Sequence, residues 1–354
     1  MRIGLIVGPG YPVPPPNYGG IERVVDTLAR GLAAAGHDVL LAGPSDSSCP
    51  VPLAAGMWES DSTRRGSIPT ELSHSIRAYG AMGQMDVIHD HTLIGPLCAH
   101  RPGPIPTVAT IHGRLVPEVA EIYRAMSSNT SIIAISHDQI RHVADLHVAR
   151  VIHHGMDFSS VPVGTGRGGY ACFLGRMCPD KGVMEAVLIA HSAGLPLRIA
   201  TKMREPAELE YFHEVVNPVL GPDDELVGEI GDYEKFELLG NAVALLSPLQ
   251  WPEPFGLVMI EALATGTPVI STASGGGTGD RGQRHHRIPG TPPRTRPTPA
   301  TGGQPGPRSV QGNRRGTVQC TKNGCRPSGP LPRDPRPGLC SGSNASSSQC
   351  PHLR

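Results

Sequence analysis

The chain has 354 residues, with 31 Lys+Arg against 31 Asp+Glu and 38% hydrophobic residues, which is enough length for two ordinary domains with cores of their own. It is not one small module, and no run approaches the roughly 18 apolar residues that a membrane helix needs. The neutral total hides two opposite halves: residues 275–354 hold 13 Lys+Arg and 2 Asp+Glu, a charge of +11, which leaves 18 minus 29, or −11, for residues 1–274.

The first apolar run, Arg2 to Val7, reads as a strand and carries no charged leader or cleavage site, so the cytosol is the expected compartment. A Pro/Gly loop follows, then Ile21 to Ala35, where Val24, Val25, Leu28 and Leu32 recur at helical spacing. Further short strands are expected at Val39–Ala42, Asp86–His89, Thr107–Ile111, Ser131–Ile135 and Ala149–Ile152, with helical stretches between several of them. Apolar strands separated by helices predict an α/β fold with a parallel sheet covered on both faces. Residues 1–155 are therefore read as a first doubly wound, Rossmann-like domain.

Residues 156–169 are polar and Gly-rich and read as a linker. The pattern then repeats over 170–274, with strands at Tyr170–Leu174, Leu197–Ala200, Glu225–Val227, Val243–Leu246 and Pro268–Ile270. Helices are expected at Val183–Ser192, Ala207–Val216, Tyr233–Leu239 and Leu257–Ala264. Two such domains place a ligand cleft at the carboxyl ends of their strands. The last 80 residues, 275–354, contain 15 Gly and 13 Pro and no aromatic residue, too little apolar surface to offset ordering entropy, and are expected to be disordered. Four of the eight cysteines lie there; Cys49, Cys98, Cys172 and Cys178 form no CxxC pair, so neither a metal site nor a disulfide is expected.

Three motifs sit at predicted strand ends. Asn17-Tyr18-Gly19-Gly20-Ile21-Glu22-Arg23 puts two glycines before a helix, where bare backbone and the positive helix terminus suit a phosphate, although a tight turn alone would explain Gly19 and Gly20. Gly175-Arg176-Met177-Cys178-Pro179-Asp180-Lys181-Gly182 sets a planar guanidinium and an ammonium five residues apart, able to face a diphosphate together or to lie on a solvated loop. Trp251-Pro252-Glu253-Pro254-Phe255-Gly256-Leu257 running to Glu261-Ala262 spaces two carboxylates eight apart around a helix start. There a carboxylate can accept from sugar hydroxyls while backbone N–H groups receive phosphate oxygens. His89-Asp90-His91 and His112 also follow strands; histidines there are structural hydrogen-bond partners at least as often as catalysts, and spacing supplies no third metal ligand.

In this order the motifs resemble those of the family-4 retaining glycosyltransferases, over about residues 1–274. The resemblance implies the GT-B fold, two doubly wound Rossmann-like domains facing a cleft. It also implies transfer of a sugar from a nucleoside-diphosphate sugar to an acceptor hydroxyl with retained configuration, without a cofactor or catalytic metal. On that resemblance Arg176 and Lys181 neutralise the diphosphate leaving group, Glu253 stands by the donor sugar, and Glu261 holds the ribose. Gly19, Gly20, Phe255, Gly256 and Leu257 meet the donor, and His112 lies close to its sugar. The acceptor, whether saccharide, lipid or small molecule, stays open, and with a lipid acceptor so does peripheral membrane contact. Nucleic acid is not an expected partner, because the basic tail has no aromatic residue for base stacking.

The departure begins after Ile270, where the family continues as Gly-x-x-Pro-Glu-Ile-Val-x-Asp-Gly-x-Thr-Gly-Phe-Leu. Codons for Gly279 to Pro289 and the first base of Gly290 can be chosen so that dropping one base reads Glu-Ile-Val-Asp-Asn-Gly-Ile-Thr-Gly-Phe-Leu. A shift of reading frame near Ser274 to Thr278 is therefore expected, and with it an incomplete second domain. Two alternatives stand beside an active transferase: a nucleotide-sugar 2-epimerase of the same fold, and an inactive, truncated relic.

Overall fold

The computed structural model describes residues 1–272, and the expected disordered tail and frame shift lie outside them. The described residues fall in one compact unit built on two parallel sheets.

The first sheet has the order β2-β1-β3-β4-β5-β6, with β1 at Arg2–Ile6, β2 at Asp38–Ala42, β3 at Val87–Asp90, β4 at Thr107–Thr110, β5 at Ser131–Ala134 and β6 at Arg150–Val151. Helices α1 (Gly20–Ala34), α2 (Ile68–Gly80), α3 (Pro117–Met126) and the short α4 (His137–Ile140) lie between the strands. Side chains alternate across β1. Ile3, Leu5 and Val7 pack with Val25 and Ala29 of α1, while Ile6 packs with Tyr79 and Met82 at the end of α2. Gly4 faces the second layer, and a Cβ there would sit 2.2 Å from the Met82 sulfur, so α2 closes on the sheet only over a bare backbone. Both faces are thus dry, as a parallel sheet requires.

The second sheet has the order β11-β10-β7-β8-β9: β7 at Ala171–Arg176, β8 at Leu197–Lys202, β9 at Glu225–Gly228, β10 at Ala244–Ser247 and β11 at Val269–Ser271. The same alternation operates. Ala171 and Phe173 pack on Val183, Ala186, Val187 and Ala190 of α5 (Val183–Ser192), while Tyr170 and Cys172 pack on Leu238, Leu239 and Ala262 of α7 (Asp232–Asn241) and α8 (Leu257–Ala264). Fully burying Phe173 alone is worth about 1.5–3 kcal/mol. The helix α6 (Pro206–Tyr211) passes into a wider π turn at Phe212–Val216, where the sequence suggested one continuous helix from Ala207 to Val216. Residues 164–168 are tied to this half by Gly164 N–H to the Thr265 carbonyl at 2.9 Å, Gly166 N–H to Gly240 at 2.9 Å and Gly168 N–H to Asn241 at 2.8 Å.

Most strands match their expected spans within a residue or two. The informative exceptions lengthen at the carboxyl end. β7 runs through Arg176 and β8 through Lys202, and these two residues are paired in register, so Arg176 is the last residue of a strand and not part of the loop in which the sequence placed it. Among the described residues no helix is long and apolar enough to cross a membrane. The cysteines Cys49, Cys98, Cys172 and Cys178 are free thiols, and burial pushes that of Cys172 up to about 12.

Candidate functional site

The carboxyl ends of the two sheets face each other, and the three motifs meet there. Gly19 precedes α1 with a φ of 156°, and a side chain on it would strike the Pro15 ring at 2.7 Å. A Cβ on Gly20 would stand 3.5 Å from the Leu257 Cδ1 of α8, so the first domain's glycine turn lies against the start of the second domain's helix. A side chain longer than a methyl at Gly20 would press on that helix, whereas one at Gly19 would collide with Pro15 and Glu22 of its own domain. Around this contact Tyr18 N–H donates to Glu229 at 3.3 Å, the Arg23 guanidinium pairs with Asp232, and the Ser136 hydroxyl donates to the Pro254 carbonyl at 2.7 Å.

The loop after β10 carries Trp251, Glu253, Phe255 and Gly256. Gly256 caps α8 in the left-handed region, φ 88°, which a side chain would strain, so the backbone turns sharply and leaves the first N–H groups of α8 uncapped by any side chain. Lys181 lies at the end of a single 3-10 turn, Pro179–Lys181, followed by Gly182 at φ 75°. Its ammonium is bonded to the Glu253 carboxylate and lies 4.9 Å from the centre of the Trp251 ring. The side chains of Lys181 and Glu253 are only 20% and 15% exposed, so the pair is screened from bulk water but open on one side. Two residues 72 positions apart, singled out for different ends of the donor, thus hold one another.

Arg176 is placed by Glu208. Its Nη1 is 4.0 Å from Glu208, and Glu208 also accepts from Lys202 at 3.3 Å and from the Arg204 and Glu205 backbone N–H groups at 3.0 and 3.2 Å. Lys202 Nζ is 5.7 Å from the centre of the Tyr18 ring, and Arg176 and Lys202 both pull down the Tyr18 hydroxyl pKa, which burial nevertheless raises on balance. Lys202 is a third cation at this rim. The apolar strand signal ends at Ala200, because Thr201 and Lys202 are polar, so nothing in the local pattern marks Lys202.

Glu261 lies on the inner face of α8, 3% exposed. Its Oε1 accepts from Lys235 of α7 at 2.5 Å, and Lys235 also pairs with Asp232 at 2.8 Å. Nothing local marks Lys235, 26 residues away on another helix, as its partner.

His112, after β4, stands in a run of imidazoles. His89 and His91 rings are 4.2 Å apart, His91 and His112 are 5.1 Å apart, and His112 and His154 stack at 5.2 Å with 17° between planes. His154 meets Phe255 edge-on at 5.0 Å, so the run ends on the second domain's motif. His91 Nδ1 and His112 Nε2 are 2.8 Å apart, and His89 Nε2 lies 2.7 Å from the Thr110 hydroxyl. Burial lowers all four pKa values: His89 and His154 to about 4, His91 and His112 well below the ordinary range. The rings are neutral at pH 7. Next to them Asp90 accepts from the Tyr79 hydroxyl at 2.7 Å and the Thr92 N–H at 2.6 Å, and burial raises its carboxyl to about 6.

Two parallel sheets with facing carboxyl ends, a glycine turn against a capped helix and a rim of cations agree with what the sequence matches. Residues 18–160 match the sequence model of Glycosyltransferase Family 4, and residues 169–280 match that of Glycosyl transferases group 1. The chain is a glycosyltransferase with a Glycosyltransferase Family 4 domain followed by a Glycosyl transferases group 1 domain. Its curated relatives include a phosphatidyl-myo-inositol mannosyltransferase of Propionibacterium freudenreichii, 25% identical over 320 residues and covering 77% of this chain and 77% of its own. A glycogen synthase of Mycobacterium tuberculosis is 27% identical over 339 residues, covering 78% and 79%. Among solved structures AviGT4, a glycosyltransferase involved in avilamycin A biosynthesis, superposes with a TM-score of 0.60 at 27% identity over 79% of this chain and 80% of that one. Anabaena HepE in complex with UDP and glucose shares the fold, with a TM-score of 0.60 at 17% identity over 78% of this chain and 82% of that one. This glycosyltransferase therefore has the GT-B architecture.

Proposed function

We propose that this glycosyltransferase takes a sugar from a nucleoside-diphosphate sugar and passes it to an acceptor hydroxyl with retention of configuration, with no resident cofactor. The observation that carries this reading is the Lys181–Glu253 pair at the rim of the cleft, beside the uncapped start of α8 and the Gly19-Gly20 turn. An ammonium and a carboxylate kept together are a charge-neutral resting state that a donor can split. The diphosphate draws Lys181 to itself, and Glu253 is released to accept from sugar hydroxyls and to face the positive charge that grows at the anomeric carbon. Arg176 and Lys202, on the adjacent strand ends, supply further positive charge for the departing diphosphate. Backbone N–H groups at the start of α8 serve phosphate oxygens, and the bare Gly20 lets them approach. Glu261, already held by Lys235, is preset as an acceptor for ribose hydroxyls.

The relatives act on a phosphatidyl-myo-inositol lipid and on glycogen, as their names state, so both a lipid headgroup and a polysaccharide end are fitting acceptors here. Location in the cytosol, with contact to a membrane surface if the acceptor is a lipid, belongs to the same proposal. Calorimetric titration with UDP, GDP and ADP tests it. One nucleoside diphosphate is expected to bind, and Lys181→Ala to weaken it at least tenfold. Failure of all three to bind would support the inactive-relic reading instead.

A further inference from the structure

The imidazole run leaves one atom unaccounted for. His91 Nε2 is sealed from solvent and has no hydrogen-bond partner among the described residues, while the other nitrogen of that ring, Nδ1, meets His112 Nε2 at 2.8 Å. Both rings are neutral, so one proton lies between them and either ring can carry it. If His112 donates, His91 must hold its own proton on Nε2, a buried N–H with nothing to receive it. If His91 donates from Nδ1, its Nε2 is a bare lone pair. An orphaned buried N–H is the rarer and costlier defect of the two.

We infer that His91 is a positioning residue that donates from Nδ1 to His112 Nε2 and so fixes His112 as the tautomer protonated on Nδ1. The surroundings support that arrangement. His112 Nδ1 has no hydrogen-bond partner among the described residues, so it is the one free donor of the ring. His154 stacks on His112 at 17°, and Phe255 packs edge-on against His154, which fixes the plane of the His112 ring from the second domain's side. His89 flanks His91 at 4.2 Å on the far side and is itself bonded to Thr110. A ring clamped in plane and set in one tautomer presents an N–H, and not a lone pair, to whatever lies beside it. This rests on the proposal that His112 lies by the donor sugar, where that N–H would give to a hydroxyl or ring oxygen. With the wrong tautomer His112 would only accept.

Long-range proton–nitrogen correlation spectra of the ligand-free protein labelled with nitrogen-15 in histidine read the tautomer directly, with His91→Asn and His112→Asn used to assign the signals. We expect His112 in wild type with a protonated Nδ1 and a bare Nε2, the same pattern in His91→Asn, whose amide nitrogen replaces Nδ1 as donor, and a mixture of tautomers in His91→Phe. His112 protonated on Nε2, or a pattern that His91→Phe leaves unchanged, would overturn the inference; the wild-type spectrum alone decides it if a variant does not fold. The expected tautomer with His112 signals that no added UDP-glucose, GDP-mannose or ADP-glucose moves would keep the hydrogen bond and refute only the donor-side role of His112.

Discussion

Replacing Lys235 by Met isolates the buried pair beneath α8. Glu261 is 3% exposed, and among the described residues Lys235 is the only side chain bonded to it, at 2.5 Å. Removing one member of a buried pair leaves the other charge stranded, which costs about 3–5 kcal/mol. Loss of the exposed Asp232 contact adds little. Urea unfolding of Lys235→Met is thus expected to show a loss of about 3–5 kcal/mol. The double variant Lys235→Met with Glu261→Gln, which leaves no charge to strand, should recover much of that loss. No recovery in the double variant, or a single-variant loss below about 1 kcal/mol, would refute the reasoning.

Acid should loosen the imidazole run. The folded protein holds His89 and His154 near 4 against an ordinary 6.5, so the unfolded chain binds protons first, and the stability these rings contribute is lost as pH falls from about 6.5 to about 4, on the order of 3 kcal/mol each. Glu22 and Asp90, both raised to about 6 by burial, act in the opposite sense over the same range, and wild type should still lose stability on balance because His91 and His112 move in the same direction as the other rings. His89→Gln should flatten the acid limb of a melting-temperature profile, and an unchanged profile would contradict the burial of that ring. Gly182→Ala should cost roughly 2–4 kcal/mol, because φ is 75° and the new Cβ would lie 2.0 Å from the Pro248 carbonyl oxygen, whereas Gly194→Ala, at φ 67° with open space around it, should cost only about 1 kcal/mol; equal losses in thermal unfolding would contradict this. Sequencing the coding DNA across codons 265 to 295 is expected to reveal one base more or fewer than this translation requires. An identical sequence would refute the frame shift.

What the sequence made legible followed from periodicity and punctuation. Val183–Ser192 and Leu257–Ala264 have the expected bounds because a left-handed glycine, Gly182 or Gly256, marks where each helix begins. The strands were readable as short apolar runs, and their polar ends were not: Arg176 and Lys202 continue β7 and β8 because the two strands pair with each other, a non-local cause that no local pattern records. No apolar stripe marks the helix Ile68–Gly80 in the sequence, since its buried face includes Thr70, His74 and Ser75. At the site, Glu253, Lys181 and the Gly19-Gly20 turn could be named from motifs. That Lys181 and Glu253 bond to one another, that Lys235 holds Glu261, and that His154 joins His112 to Phe255 all depend on tertiary approach between distant segments.

Retention of configuration, with the donor sugar facing Glu253 as proposed above, is open to direct test. Proton NMR of reactions with UDP-glucose, GDP-mannose and ADP-glucose, each with and without candidate acceptors, observes the released sugar or glycoside at its anomeric proton as it forms. One donor should be consumed, the first-formed product should keep the donor's anomeric configuration, and Glu253→Gln should slow this by about a hundredfold or more while still binding the nucleoside diphosphate. An inverted first product, or a Glu253→Gln variant as fast as wild type, would contradict it.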